Sequence, residues 1–420
     1  MERNARNALA CAWIVLLTVA AMPAHAAKET KAEPAVMIQN QPDRQISPSK
    51  PLTVHTTIAG ESPITGLPVA QGRYMPVLVQ ISNVAASEKV GRKTVTAAGL
   101  GKSAPWGGQY ADIVYEGLLW ELGQTRLTFL FSDSLARGQP VSVGPVRSIR
   151  HGTVLLREEW QGSVVYSGGL QGLNDGIAQR LSELETDGSG RAIRMQGANL
   201  IQRRFGGRIQ EVKAPDNLDV NAVTVQNGVL EKYTAQPRPF LFFDENPYEG
   251  YERADTVTLD WGDKRKSYVS QFHYDEFSGL YTRYCGGAPW RSFASAEDRS
   301  EENKRALTFS NVIIQRVSYA YPVSKLLPIP LCVGHGNADL FIWGRYIPGY
   351  WVRESEVSPT VYLDDRGEEI RLARGKTFIA QFPPESLLTV WAEKKGEKGE
   401  ASLRERDGQE SKSAGVLERD

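Results

Sequence analysis

The chemistry-bearing residues of this chain concentrate between Tyr110 and Arg150, in YADIVYEGLLWELGQTRLTFLFSDSLARGQPVSVGPVRSIR. Two apolar runs, Ile113–Trp120 and Leu127–Phe131, have the composition of β-strands, yet Glu116 interrupts the first and Glu121 closes it. Asp112 precedes the first run, Arg126 opens the second, and Arg147 and Arg150 follow a Gly144-Pro145 turn. Three chemistries fit such a set. Two carboxyl groups flanking a bond can act as acid and base in the hydrolysis of glycan or peptide. Guanidinium groups presented together bind a carboxylate or a phosphate. Alternatively, acids and arginines neutralise one another inside a sheet and the cluster holds the fold.

Strand alternation separates these readings. Val114, Glu116, Leu118 and Trp120 share one face of a strand. Glu116 therefore lies among apolar neighbours, where an unpaired carboxylate is too costly to keep. Its expected partner is Arg126, if Leu122-Gly123-Gln124 turns the chain back, or else Arg147 and Arg150. The latter two read as the first turn of a helix that starts at Gly144-Pro145, since proline is tolerated at the first helical position. Being three apart, they project from one side of that turn. Cations there oppose the helix dipole and call for an anion, either Asp112, Glu116 and Glu121 or the carboxylate or phosphate of a ligand. Glu116 and Glu121, an odd number apart, fall on opposite faces of a regular strand, which is poor geometry for a hydrolase pair. An internal ion network with a binding groove beside it is the reading these residues favour.

The remaining motifs carry less. Tyr166-Ser167-Gly168-Gly169 ends a strand but is not the GxSxG nucleophile turn. His335 between two glycines reads as a turn residue, and Phe341, Trp343, Tyr346, Tyr350 and Trp351 as sheet packing rather than a sugar platform. With five histidines, no HxxH spacing, three scattered cysteines and no CxxC, no metal site and no cofactor is expected. Cys285 and Cys332 each follow a β-like run, and in an oxidising compartment they are expected to form a disulfide.

Around this centre the chain divides by composition. Lys plus Arg equals Asp plus Glu at 49 each, so no overall field favours nucleic acid. Arg3, Arg6, the apolar stretch Ala8 to Met22 and Ala24-His25-Ala26 make residues 1–26 a secretion signal cut before Ala27. Cys11 begins the apolar region instead of following it, so an unlipidated, exported chain is expected, periplasmic or extracellular and envelope-associated. No second stretch is long enough to span a bilayer. Residues 27–61, rich in Lys, Glu, Pro, Gln and Ser, read as a flexible spacer. Residues 62–240 read as an α/β-type domain: a strand at Met75–Ile81, a long loop from Ala85 to Gly108, the two central strands, helices over Ser148–Trp160 and Leu173–Leu184, and a strand at Ser163–Tyr166. After a Pro/Gly-rich boundary, residues 250–392 read as a mainly antiparallel β domain whose hairpin turn is Asp364-Asp365-Arg366-Gly367. Residues 393–420 form a charged, apolar-poor tail for which disorder is expected. The fold class is α+β, with a mixed sheet in the first domain.

Several of these segments also carry a resemblance. Pro63-Ile64-Thr65-Gly66-Leu67-Pro68, Ala111-Asp112-Ile113-Val114-Tyr115-Glu116, Thr125-Arg126 and Gly144-Pro145-Val146-Arg147-Ser148-Ile149-Arg150 occur in an order similar to the bacterial YerB-like lipoprotein family, defined by domain of unknown function 3048. Tyr281-Thr282-Arg283, Asn311-Val312-Ile313, Gly349-Tyr350-Trp351 and Arg374-Gly375-Lys376-Thr377 resemble that family's C-terminal domain. Pro215-Asp216-Asn217 stands where the family has Pro-His-Asn. The resemblance implies an exported two-domain envelope protein with no established activity. The expectation is a non-catalytic binding or scaffolding protein whose partners are envelope proteins or cell-wall polymer. The alternatives are a cell-wall hydrolase using Glu116 or Glu121, and a receptor for a small anion at Arg147 and Arg150.

Overall fold

A computed structural model describes residues 36–38, 47–52, 54–69, 74–195, 205–210, 212–322 and 327–392. Residues 1–26, expected to be a secretion signal, and residues 393–420 lie outside the described residues. In the N-terminal half the main strands are Val77–Ile81 (β1), Ile113–Leu118 (β2), Thr125–Phe131 (β3), Ser163–Tyr166 (β4) and Ala192–Arg194 (β5). The C-terminal half adds Thr256–Asp260 (β6), Ser270–Asp275 (β7), Leu280–Cys285 (β8), Asn311–Arg316 (β9), Gly334–Ile342 (β10), Arg345–Arg353 (β11), Val361–Leu363 (β12), Thr377–Phe382 (β13) and Leu387–Trp391 (β14).

Ten of these strands form one mixed sheet in the order β12-β11-β10-β9-β13-β2-β3-β1-β4-β5. Its two halves meet where β13 runs parallel to β2, placing Thr377 beside Ile113 and Ala380 beside Glu116. The stretch around residues 240–250 thus links two groups of strands within a single sheet. A seven-stranded sheet, with β14, β6, β7 and β8 at its centre, lies on one face. Val77, Val79, Val114, Phe129, Phe272, Phe309, Phe378 and Leu388 fill the core between the two sheets. On the other face sit two helices, His151–Trp160 (α1) and Asp175–Thr186 (α2), over Leu78, Ile113, Tyr115, Leu130, Ile313 and Leu340. Helix α2 starts where Asn174 accepts the Ile177 N–H at 2.9 Å and buries Ile177, Leu181 and Leu184 at helical spacing. The α+β class holds, with few helices and a mixed sheet.

Three local expectations are corrected. Ala85 to Gly108 is no plain loop: Ala85–Val90 and Lys93–Ala98 pair as an antiparallel hairpin, whose second arm carries the strand-favouring β-branched residues Thr94, Val95 and Thr96. The spacer is partly ordered. Its Val36–Ile38 adds an antiparallel edge strand to β14, and the Ser49 N–H donates to Gly367 O at 2.8 Å. An open sheet edge offers unpaired backbone groups that even a three-residue strand can satisfy. His335 lies within β10 rather than in a loop. The Asp364–Gly367 turn is present, with Gly367 N–H donating to Asp364 O at 3.1 Å.

Candidate functional site

The register between β2 and β3 decides where the charged residues go. Glu116 stands opposite Leu127, and Gly117 opposite Arg126. Residues directly opposite in an antiparallel pair share a face, so Glu116 and Arg126 leave the sheet in opposite directions. The expected pairing of Glu116 with Arg126, or with Arg147 and Arg150, does not occur. Its partner is Arg283 of β8, at 2.7 Å across the core between the two sheets, both side chains 0% exposed. Thr125 Oγ1 donates to the same carboxylate at 2.6 Å, and Asn83 Nδ2 at 3.2 Å. The Arg283 guanidinium also reaches Ser270 Oγ at 2.9 Å and lies 4.3 Å over the Trp290 ring. Burial raises the Glu116 pKa above the usual carboxylate range, and Arg283 opposes that rise. The sequence marked the need for a cation but could not name Arg283, which is 167 residues away.

On the helix side the arrangement is different. Arg126 is 8% exposed, and its Nε and Nη1 have no hydrogen-bond partner among the described residues. Burial first, and then the charges of Arg150 and Arg147, lower its pKa to about 9, with Asp216 opposing them. Arg147 and Arg150 are not in a helical turn, as expected, but in the extended segment before one. The Arg147 N–H donates to Gln80 O at 2.8 Å, which lays that segment along β1, and Arg150 is the N-cap residue of α1. Arg147 Nε meets Asp216 at 3.5 Å, and Ser82 Oγ holds the same carboxylate at 2.9 Å. Among the described residues the Arg150 side chain donates only to the neighbouring Ile149 carbonyl, at 2.7 Å, and its guanidinium lies 5.9 Å from the Trp120 ring. Its buried Nε is likewise unpartnered among the described residues, and burial then Arg147 lower its pKa.

Arg126 and Arg150 line one small cleft, together with Gly117, Gly152, Tyr319 and Gln381. Among the described residues no acid lines it. Helix α1 opens into the cleft at Gly152 and Thr153, with no side-chain cap on its first N–H groups and no acid in its first turn. The cleft's own polar side chains satisfy one another. Thr153 Oγ1 donates to Gln80 Oε1, Thr153 and Thr128 hydroxyls lie 3.2 Å apart, and Gln80 Nε2 donates to Leu127 O at 2.7 Å. What remains is a set of unused donors on two guanidinium groups, Nε and Nη1 of Arg126 and Nε of Arg150, beside the positive end of a helix dipole. That set can hold an anion and offers it nothing repulsive.

The other expected residues lie elsewhere. Glu121 sits in the exposed turn after β2. Asp112 is buried, accepts the N–H groups of Ser132 (2.6 Å) and Asp133 (2.9 Å), and has its pKa pushed up to about 7 by burial and then by Asp133. The expected Cys285–Cys332 disulfide is absent and both thiols are free and buried. Cys285 belongs to the core between the sheets, beside Ser270 at 3.8 Å, whereas Cys332 belongs to the core on the helix side, 3.5 Å from Arg353. The large sheet separates them. Among the described residues no group of His, Cys, Asp or Glu could hold a metal ion, and no helix is long and apolar enough to cross a membrane. Sequence reasoning missed Tyr319 and Gln381, which reach the cleft from the C-terminal half. Asp216 carried a signal, as the acid standing where the resembled family has histidine.

Comparison with known proteins adds the following. Residues 101–233 match the N-terminal domain, and residues 257–379 the C-terminal domain, described as protein of unknown function (DUF3048). No curated protein matches. The crystal structure of YerB protein from Bacillus subtilis is similar, with a TM-score of 0.58 and 22% sequence identity over 78% of this chain and 99% of that one. At that identity the likeness speaks for the fold.

Proposed function

The chain belongs to the DUF3048 family, and from that premise we propose that it is an exported, non-catalytic binding protein of the cell envelope that holds a small anionic ligand between Arg126 and Arg150. One observation carries this reading: Arg126 is nine-tenths buried, lines the cleft, and has no partner among the described residues. A buried cation without a counter-charge costs stability, and a site that binds an anion is one reason to keep it. The leader-like residues 1–26 support export, and envelope proteins or cell-wall polymer are the expected bearers of the anion. Of the two acids the hydrolase alternative could use, Glu116 is sealed against Arg283, and Glu121 lies in the exposed turn after β2, outside the cleft lining.

The test is thermal melting of the purified protein with a panel of small anions. A ligand that binds only the folded state at 100 times its Kd adds about 2.7 kcal/mol. The wild type is expected to gain stability with at least one anion, and Arg126→Met and Arg150→Met to gain little or none. The reading fails if no anion moves the wild type, or if both variants respond as it does.

A further inference from the structure

Resting on the anion-binding reading, we propose that the cleft recognises a dianionic phosphoryl group, a terminal phosphate monoester or free phosphate, rather than a singly charged carboxylate. Charge matching carries the inference. Three guanidinium groups gather here, from Arg126, Arg147 and Arg150, and among the described residues the one acid facing them is Asp216, which meets Arg147 and also favours the charge on Arg126. That leaves Arg126 and Arg150 as two positive charges in a cleft lined by no acid. A monoanion would leave one of them uncompensated in a partly desolvated site, where repulsion between the pair persists.

The donor geometry agrees. Arginine forks and helix N-termini both suit an oxyanion with several acceptor oxygens. Helix α1 presents its N-terminus through Gly152, and β2 presents Gly117, so neither element puts a side chain between backbone and ligand. The space is nonetheless bounded. A Cβ on Gly152 would come within 3.1 Å of Pro330 and 3.3 Å of Gln381, and one on Gly117 within 3.3 Å of the Tyr319 hydroxyl. A compact head group fits this better than a bulky one.

The titratable groups around the cleft are Arg126, Arg147, Arg150, His151, Asp216, Tyr115 and Tyr319. His151 accepts the Asn174 N–H at 3.0 Å through Nε2 and is held neutral, its pKa lowered by burial and then by Arg150. Burial raises both tyrosines. A phosphate monoester changes from monoanion to dianion near pH ~6, whereas sulfate is a dianion throughout this range.

The experiment is isothermal titration of the full chain with methyl phosphate, inorganic phosphate, sulfate, dimethyl phosphate and acetate. Methyl phosphate and sulfate are expected to bind more than tenfold tighter than dimethyl phosphate and acetate at pH 7.5. At pH 5, methyl phosphate is expected to weaken about tenfold, following its dianion fraction, while sulfate holds. The sulfate arm removes whatever the protein's own groups contribute. Tighter binding of methyl phosphate than of inorganic phosphate identifies an ester-borne group, and the reverse identifies the free ion. If dimethyl phosphate or acetate binds as tightly as methyl phosphate, and Arg126→Met abolishes both, anion binding stands and the dianion proposal is overturned. If none of the five binds, both fall.

Discussion

Replacing Glu116 by Gln tests whether the ion pair between the sheets supports the fold. The amide keeps the shape and still accepts from Thr125, now at 2.6 Å, but it removes the charge that Arg283 faces at 2.7 Å. Arg283 is then a fully buried cation left with Ser270 Oγ and the Trp290 and Phe378 rings, none of which carries a compensating charge. Breaking a buried pair from one side costs about 3–5 kcal/mol. With an unfolding entropy of about 2.1 cal/mol/K per residue, a cooperative unit of roughly 330 residues converts this into a fall in Tm of roughly 4–7 °C. Differential scanning calorimetry at pH 7 measures it. The double variant Glu116→Gln/Arg283→Met is expected to recover part of the loss, since removing both charges leaves no orphan. A Glu116→Gln protein that melts within about 1 °C of wild type would refute the reasoning, as would a double variant less stable than the sum of its singles.

Arg126→Met is expected to melt above the wild type when no anion is present, because it removes buried donors whose lack of partners costs about 1–3 kcal/mol each; a lower Tm in anion-free buffer contradicts an uncompensated site. Asp112 has a folded pKa of about 7 against an ordinary 3.8, so its contribution to stability is fully present below pH ~4 and is lost as pH rises through 7. Asp112→Asn, which keeps the acceptor for Ser132 and Asp133, is expected to flatten that part of the pH–stability curve and to stabilise the protein at pH 8 relative to wild type; loss of stability at pH 8 would show that the charge is needed. Alkylation followed by mass spectrometry is expected to label Cys285 and Cys332 only after denaturation without reductant, and failure to label them then would restore the disulfide.

What the sequence determined is what short-range periodicity can encode. Apolar runs marked β2, β3 and β4, the stretch Leu173–Leu184 read as the helix that is α2, and an acid among apolar neighbours showed that Glu116 needs a buried partner. Period-two alternation also contained the answer to a question wrongly put: once Gly117 is opposite Arg126, Glu116 and Arg126 must diverge, but that register depends on where the turn at residues 119–124 closes. The tertiary structure decided which cation meets which acid. Arg283 arrives on a strand of the second sheet, and Tyr319 and Gln381 reach the cleft because β13 inserts parallel to β2, a contact between segments more than 250 residues apart. It also decided that the two cysteines fall on opposite sides of one large sheet. Local pattern cannot carry such choices, because the free energy that makes them comes from surfaces that meet only when the whole chain has closed.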